Sequence, residues 1–305
     1  MAYGDGVAHD EWHGFNPQGA GRKDDELLTL QFEVNLSILF TELPLLERPA
    51  AAAAAGFHAA EFWWPFSVAV PDDEEVDAFV GALDDAGLRL VGLNFFAGDM
   101  AGGERGLVSW PARRQEFQQS IDVLVAIAER TGCRRFNALY GQRLPDLDPT
   151  QQDAMAIENL AFAGRAIAEF DGVALIEPLA EGENGDYPLV SAADALSVVE
   201  RVKRETGVAN LALLFDTYHL ASNGEDVVAL ASVHGRRMGH VQVADWPGRH
   251  QPGTGELPFD EIFAALRDGG YDGWVGCEYK PEGPSADSFG WLPGAAVPAR
   301  PREAH

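Results

Sequence analysis

From residue 31 to residue 292, short apolar stretches of strand length alternate with longer amphipathic stretches, eight of each kind of step in about 260 residues. Strand patterns fall at 32–38, 58–62, 88–94 and 133–140. A fifth ends at Glu177 and a sixth at Asp216, the seventh runs 239–245, and the eighth ends at Glu278. Their interiors are near-continuous apolar runs, as strands covered on both faces require. The segments between them carry helix punctuation. Pro49 suits a first helical turn before the alanines that end at Gly56. Asp72 or Asp73 caps a helix that Gly87 stops, and Phe117, Ile121, Leu124 and Ala128 form one stripe before Gly132. Gly164 interrupts a helix at 151–170, at up to about 1 kcal/mol relative to Ala, which is repaid if it lets the helix approach a sheet closely. Ser191 with Asp194 forms a capping box, and Phe259, Ile262, Phe263 and Leu266 mark a last helix. This order predicts an α/β fold, a single (β/α)8 TIM barrel over 31–292. A doubly wound open sheet is the rival, but no glycine-rich phosphate loop follows any strand. Gly102, Gly103 and Gly106, around Glu104 and Arg105, lack that strand-to-helix setting. Residues 1–30 and 293–305 show no periodicity and read as a disordered leader and tail.

The balance of 22 Lys+Arg against 48 Asp+Glu gives a formal charge of -26, which disfavours nucleic acid and anionic membrane surfaces as partners. Two cysteines, Cys133 and Cys277, make no disulfide framework, and a reducing cytoplasm is the expected location. Residues 1–30 contain no apolar signal-peptide core, and no run reaches the ~18–20 apolar residues of a membrane helix.

Barrel active sites lie at the C-terminal ends of the strands, and four consecutive strands here end in Glu177, Asp216, Gln242 and Glu278. A lone Glu at a strand end is most often a helix cap or surface charge. Three of the four are carboxylates, and buried carboxylates this close would repel one another unless a cation neutralised them. An oxygen-only set without His or Cys favours Mg2+ or Mn2+ over Zn2+. His219, three residues after Asp216, is placed either to bind a substrate hydroxyl or to serve the loop. His240 shares a face with Gln242 and lines the barrel or fills one of its layers. Arg249 and Lys280 are candidates for binding a substrate carboxylate, and Glu61 and Asn94 end the second and third strands, where they touch substrate or cap helices. Trp63 and Trp64 are placed to wall the pocket.

These segments resemble the hydroxypyruvate isomerase family, a branch of the xylose-isomerase-like barrels. The resemblance is carried by Val34-Asn35-Leu36-Ser37, Gly56-Phe57 with Glu61-Phe62, and Ala97-Gly98-Asp99 through Gly103-Glu104-Arg105-Gly106. It continues in Ile176-Glu177-Pro178, Asp216 with Tyr218-His219, Gly239 to Ala244, Pro252-Gly253-Thr254-Gly255-Glu256 and Gly276 to Pro281. Related sugar epimerases usually carry His where Gln242 stands. The resemblance implies metal-assisted interconversion of hydroxypyruvate and tartronate semialdehyde through an enediol, with Glu177 and Glu278 as acid and base. Gln251 stands where the family often has Glu, and Leu179-Ala180 where Ile-Asn is usual. Thr41-Glu42 with Pro44 looks more like relatives that isomerise 2-oxo-tetronates. A 2-oxo-tetronate isomerase and a ketose 3-epimerase are therefore alternatives, and a non-catalytic binding barrel is a third. An abasic-site nuclease would need several His ligands and a basic face. The expected partner is a small oxo-acid or sugar, and a homo-oligomer is left open.

Overall fold

β1 (Gln31–Asn35) stops at Asn35, where the side-chain oxygen accepts from the Ser37 N–H and turns the chain. The apolar run continues to Phe40, but as a turn in which Phe40 has φ 56°, so the first strand is shorter than its hydrophobicity suggests. The computed structural model describes residues 30–292, and the segments read as leader and tail lie outside the described residues, apart from Leu30.

The remaining elements follow in strict alternation at first: α1 (Arg48–Ala54), β2 (Ala59–Phe62), α2 (Asp73–Ala86), β3 (Arg89–Asn94), α3 (Arg114–Thr131), β4 (Arg135–Asn137), α4 (Pro149–Ala168), β5 (Val173–Ile176), α5 (Ala192–Thr206) and β6 (Leu211–Asp216). Two short helices then replace one, α6 (Thr217–Ser222) and α7 (Val227–His234), before β7 (Met238–Val243), α8 (Phe259–Asp268) and β8 (Trp274–Cys277). All eight strands pair in parallel, and β8 closes on β1. The punctuation holds where the sequence placed it. Pro49 lies in the first turn of α1, Asp72 and Ser191 each build a capping box, and Gly87 and Gly132 end their helices in the left-handed region.

Apolar side chains fill the space between sheet and helices, with Phe79 and Leu83 of α2, Ile121 and Leu124 of α3 and Leu160 of α4 fully buried there. A β-carbon on Gly164 would sit 2.6 Å from Val208 Cγ1, so the glycine is what allows α4 to lie so close to the sheet. Cys133 and Cys277 are buried and unpaired. No helix among the described residues is long and apolar enough to cross a membrane.

Candidate active site

The inside of the barrel is polar where β1, β2, β7 and β8 meet. Glu33, Asn35, Glu61, His240 and Gln242 are all buried there. Two glycines make room for them. A β-carbon on Gly276 would lie 2.4 Å from Glu33 Oε1, and one on Gly92 would lie 2.8 Å from Glu61 Oε2. His240 Nε2 stands 2.9 Å from Glu61 Oε2 and 3.4 Å from Glu33 Oε1. Burial pushes the imidazole down, but the two carboxylates outweigh it and hold it up at about 10. Burial and the neighbouring Glu61 push the Glu33 carboxyl up to about 8.

Above this layer lie the four strand-end groups. Asn35 Nδ2 donates to Glu61 Oε1 and to Glu278 Oε1, at 3.0 Å each, and so ties the two layers together. Gln242 Nε2 donates to Glu61 Oε1 at 2.7 Å. Glu278 also accepts from Trp63 Nε1 at 2.8 Å and from Arg249 Nη2 at 2.9 Å. Glu177 Oε2 accepts from Asn137 Nδ2 at 2.6 Å. Asp216 caps α6, its Oδ1 accepting from the Tyr218 and His219 N–H groups. Burial, then Glu278 and Asp216, push the Glu177 carboxyl well above the usual range. Burial likewise lifts Glu278 to about 8 against the pull of Arg249. Glu177, Asp216, Gln242 and Glu278 are each no more than 4% exposed.

His219 stands in the first turn of α6. Its Nδ1 accepts from the Ala180 N–H at 3.0 Å, so in the neutral ring the proton is on Nε2, which lies 3.7 Å from Glu177 Oε1. Burial, reinforced by Arg249 and Arg105, pushes the imidazole well below its ordinary value and keeps it neutral. Arg249 has φ 59°, a conformation that costs a non-glycine residue about 1–2 kcal/mol. Its N–H bonds to Asp245 O and its carbonyl accepts from the Lys280 N–H. Asp245 organises the loop: it is fully buried and accepts from the N–H groups of Trp246, Gly253, Gly255 and Leu257. The Pro-Gly-Thr-Gly-Glu motif is thus the wrapping around one carboxylate that sets Arg249 over the Tyr218 ring and against Glu278.

The donor set suits a divalent cation. Asp216 Oδ2 and Gln242 Oε1 are buried oxygens without a partner among the described residues, and the glutamates beside them repel each other. With Nε2 of His219 carrying a proton, the ligand atoms remain oxygens.

Of the residues singled out in the sequence, the structure brings together Glu177, Asp216, Gln242, Glu278, His219, Arg249 and Glu61. Asn94 is buried at the end of β3 with no side-chain hydrogen bond among the described residues. Lys280 stands apart. β8 ends at Cys277, so two residues after Glu278 the chain has left the strand, and the Lys280 side chain is exposed. Glu42 spends both carboxylate oxygens on Ser285, so the Thr41-Glu42 motif acts here as a strap between two loops. Trp63 touches Glu278, whereas Trp64 packs on Phe66 and Phe96. Glu33, Asn35, Asn137 and Asp245 were not among the site residues expected from the sequence, although Asn35 lies in one of the motifs that carry the resemblance. Glu33 and Asn35 did carry a signal, because Gln31, Glu33 and Asn35 alternate with the apolar Phe32 and Val34 along β1.

Fold and site define a parallel (β/α)8 barrel with a carboxylate-rich mouth competent to hold a cation. The chain belongs to the xylose isomerase-like TIM barrel family, whose model matches residues 49–294. A Streptomyces coelicolor protein provisionally named hydroxypyruvate isomerase is 52% identical over 88% of this chain and 98% of its own. Escherichia coli hydroxypyruvate isomerase is 32% identical, and the 2-oxo-tetronate isomerase of Cupriavidus necator 36%, each over 86% of this chain. The two alignments cover 98% and 97% of those proteins. Among solved structures, AP endonuclease, family 2, from Brucella melitensis superposes with a TM-score of 0.78 at 34% identity, over 87% of this chain and 98% of that one.

Proposed function

We propose that this isomerase interconverts hydroxypyruvate and tartronate semialdehyde by moving a proton between neighbouring carbons. The observation that carries the reading is the pair Glu177 and Glu278. They rise from β5 and β8, both are buried, and burial and like charge hold both carboxyls above the usual carboxylate range. A carboxyl raised in this way holds its proton more strongly than a free one and is better suited to act as a positioned acid or base. One glutamate takes the proton from the hydroxymethyl carbon, and a proton is delivered to the former carbonyl carbon. The hydroxyl proton passes to the former carbonyl oxygen through an enediol.

Glu177, Asp216, Gln242 and Glu278 would hold a divalent cation, Mg2+ or Mn2+. When bound, it draws electron density from the substrate oxygens and stabilises the enediolate charge. His219 offers its Nε2–H to a substrate oxygen, and Arg249 Nε, buried without a partner, offers another donor. The names of the Streptomyces and E. coli relatives support hydroxypyruvate as substrate. A 2-oxo-tetronate is the second reading, supported by the Cupriavidus relative.

The test is to strip the full-length protein with chelator, reload it with Mg2+ or Mn2+, and assay hydroxypyruvate, 2-oxo-tetronates and free ketoses. Metal-dependent turnover with hydroxypyruvate preferred is expected. A preference for neutral ketoses would overturn the oxo-acid reading, and full activity after stripping would overturn the role of the cation.

A further inference from the structure

The Gly103-Glu104-Arg105-Gly106 segment, which carries much of the family resemblance, puts no side chain in hydrogen-bond contact with the strand-end cluster among the described residues. The structure fixes it tightly. Gly106 has φ 101°, and a β-carbon there would lie 1.9 Å from the Leu139 carbonyl oxygen, so only glycine fits where this loop crosses the end of β4. The Arg105 N–H donates to Gln142 Oε1 at 3.0 Å, and its carbonyl accepts from the Gly141 N–H at 2.9 Å. Its side chain is held as firmly. Nε donates to Asn184 Oδ1 at 3.0 Å, and Nη1 donates to the carbonyls of Met100 and Glu104 at 2.9 and 2.8 Å.

Every acceptor of that guanidinium is neutral. Among the described residues Arg105 has no carboxylate at ion-pair distance, although the chain carries a formal charge of -26. The neighbouring Glu104 pairs with Arg113 instead. Arg249, the other guanidinium near the mouth, is matched by Glu278 and stands against a cluster of three carboxyls. Among the described residues Arg105 Nη2 makes no hydrogen bond. The residue is also wired to the catalytic cluster. Asn184 Nδ2 donates to the Ala180 carbonyl at 3.1 Å, the Ala180 N–H donates to His219 Nδ1, and His219 Nε2 faces Glu177.

We infer that Arg105 is the anchor for the substrate carboxylate, a preorganised anion subsite that selects oxo-acids over neutral sugars. The inference rests on the isomerase reading above. A half-buried guanidinium held open by neutral acceptors lacks the counter-charge that would offset its lost hydration, and a carboxylate supplies it. Its planar fork suits a carboxylate better than an ammonium would.

The experiment compares hydroxypyruvate with dihydroxyacetone, which has a hydroxymethyl group in place of the carboxylate, using the metal-loaded full-length protein. In Arg105→Met, the ratio of kcat/KM for hydroxypyruvate to that for dihydroxyacetone should fall by about 10–100-fold, the factor expected for losing a charge-assisted hydrogen bond. Most of the loss should appear in KM for hydroxypyruvate. Competitive inhibition by D-glycerate should weaken by the same factor, which keeps the test decisive if dihydroxyacetone reacts slowly. Arg105→Lys should recover part of the loss. An unchanged ratio with unchanged D-glycerate inhibition would overturn the inference alone, including the case in which both substrates suffer equally because the loop has slackened. Wild-type protein that turns over ketoses but neither hydroxypyruvate nor 2-oxo-tetronates would overturn the oxo-acid reading and the inference with it.

Discussion

Gln242 donates through Nε2 to Glu61 Oε1 at 2.7 Å, and this bond decides which end of its carboxamide faces the carboxylates. The carboxylate of Glu61 accepts only, so the amide nitrogen must point to it and the oxygen, which has no partner among the described residues, must point away. Glu61 is itself held by Asn35 and His240. A glutamine can therefore act as a one-sided oxygen donor where a free amide would be ambiguous.

Exchanging the two residues tests this directly. Glu61→Gln should weaken Mn2+ binding by about 10–100-fold, in line with other losses of a group that orients a metal ligand. Gln242→Glu alone sets two carboxylates together at hydrogen-bond distance and should also bind poorly or fold less stably. The double variant restores one donor and one acceptor and should bind Mn2+ better than either single variant. Titration by calorimetry or electron paramagnetic resonance would read the order, and a double variant worse than both singles would contradict the orienting role.

Glu177→Gln and Glu278→Gln each keep a ligating oxygen and the side-chain volume but remove the proton-accepting carboxylate. Each should lower kcat by about 10²–10⁴-fold, with the fold retained and some metal still bound. The double variant should lose far less than the product of the two factors, because the pair acts as a unit. Steady-state rates would decide. Near-normal turnover in either single variant would reduce that glutamate to a ligand or a cap.

Stability should fall as pH rises through the range set by the inner layer. In the folded chain Glu33 keeps its proton up to about pH 8, whereas an unfolded glutamate loses it near 4.5. The folded state thus binds the extra proton, and the stability tied to it is fully present below about pH 4.5 and is lost as pH rises through 8. His240 acts in the same direction between about 6.5 and 10. Glu33→Gln removes the first contribution. Its melting temperature should match the wild type near pH 5 and exceed it at pH 8, and parallel curves would contradict this.

Gly164→Ala would stabilise an isolated helix by up to about 1 kcal/mol. Here the new methyl would meet Val208 Cγ1 at 2.6 Å and Leu211 Cδ1 at 3.3 Å. Overpacking of this kind costs about 1–3 kcal/mol, so the sign should reverse and the melting temperature should drop. An increase would mean that α4 can move off the sheet freely.

The barrel was legible because each of its repeats announces itself locally. Buried strands read as apolar runs, and Asp72, Ser191, Gly87 and Gly132 mark helix ends by short-range hydrogen bonding. The four strand-end donors could be found from the same pattern. Local pattern failed where the chain turns without becoming polar. Leu36, Ile38 and Leu39 are buried in a turn, and the fourth strand is only Arg135–Asn137 although the apolar run is longer. Between β6 and β7, two short helices broken at Asn223-Gly224 are too brief to show a clear period. The Glu33–Glu61–His240 layer was hidden for a different reason. Its members lie on β1, β2 and β7, far apart in the chain, and only barrel closure brings them together.

The most direct test of proton transfer between carbons is isomerisation of hydroxypyruvate by the metal-loaded protein in D2O, followed by proton NMR. Deuterium should enter C2 of tartronate semialdehyde, and recovered hydroxypyruvate should lose protium from its hydroxymethyl carbon, because an enediol gives the glutamates time to exchange with solvent. Both signals should fall with kcat in Glu177→Gln and Glu278→Gln. Product that keeps the substrate's own hydrogen at C2, with no solvent deuterium, would contradict the enediol route.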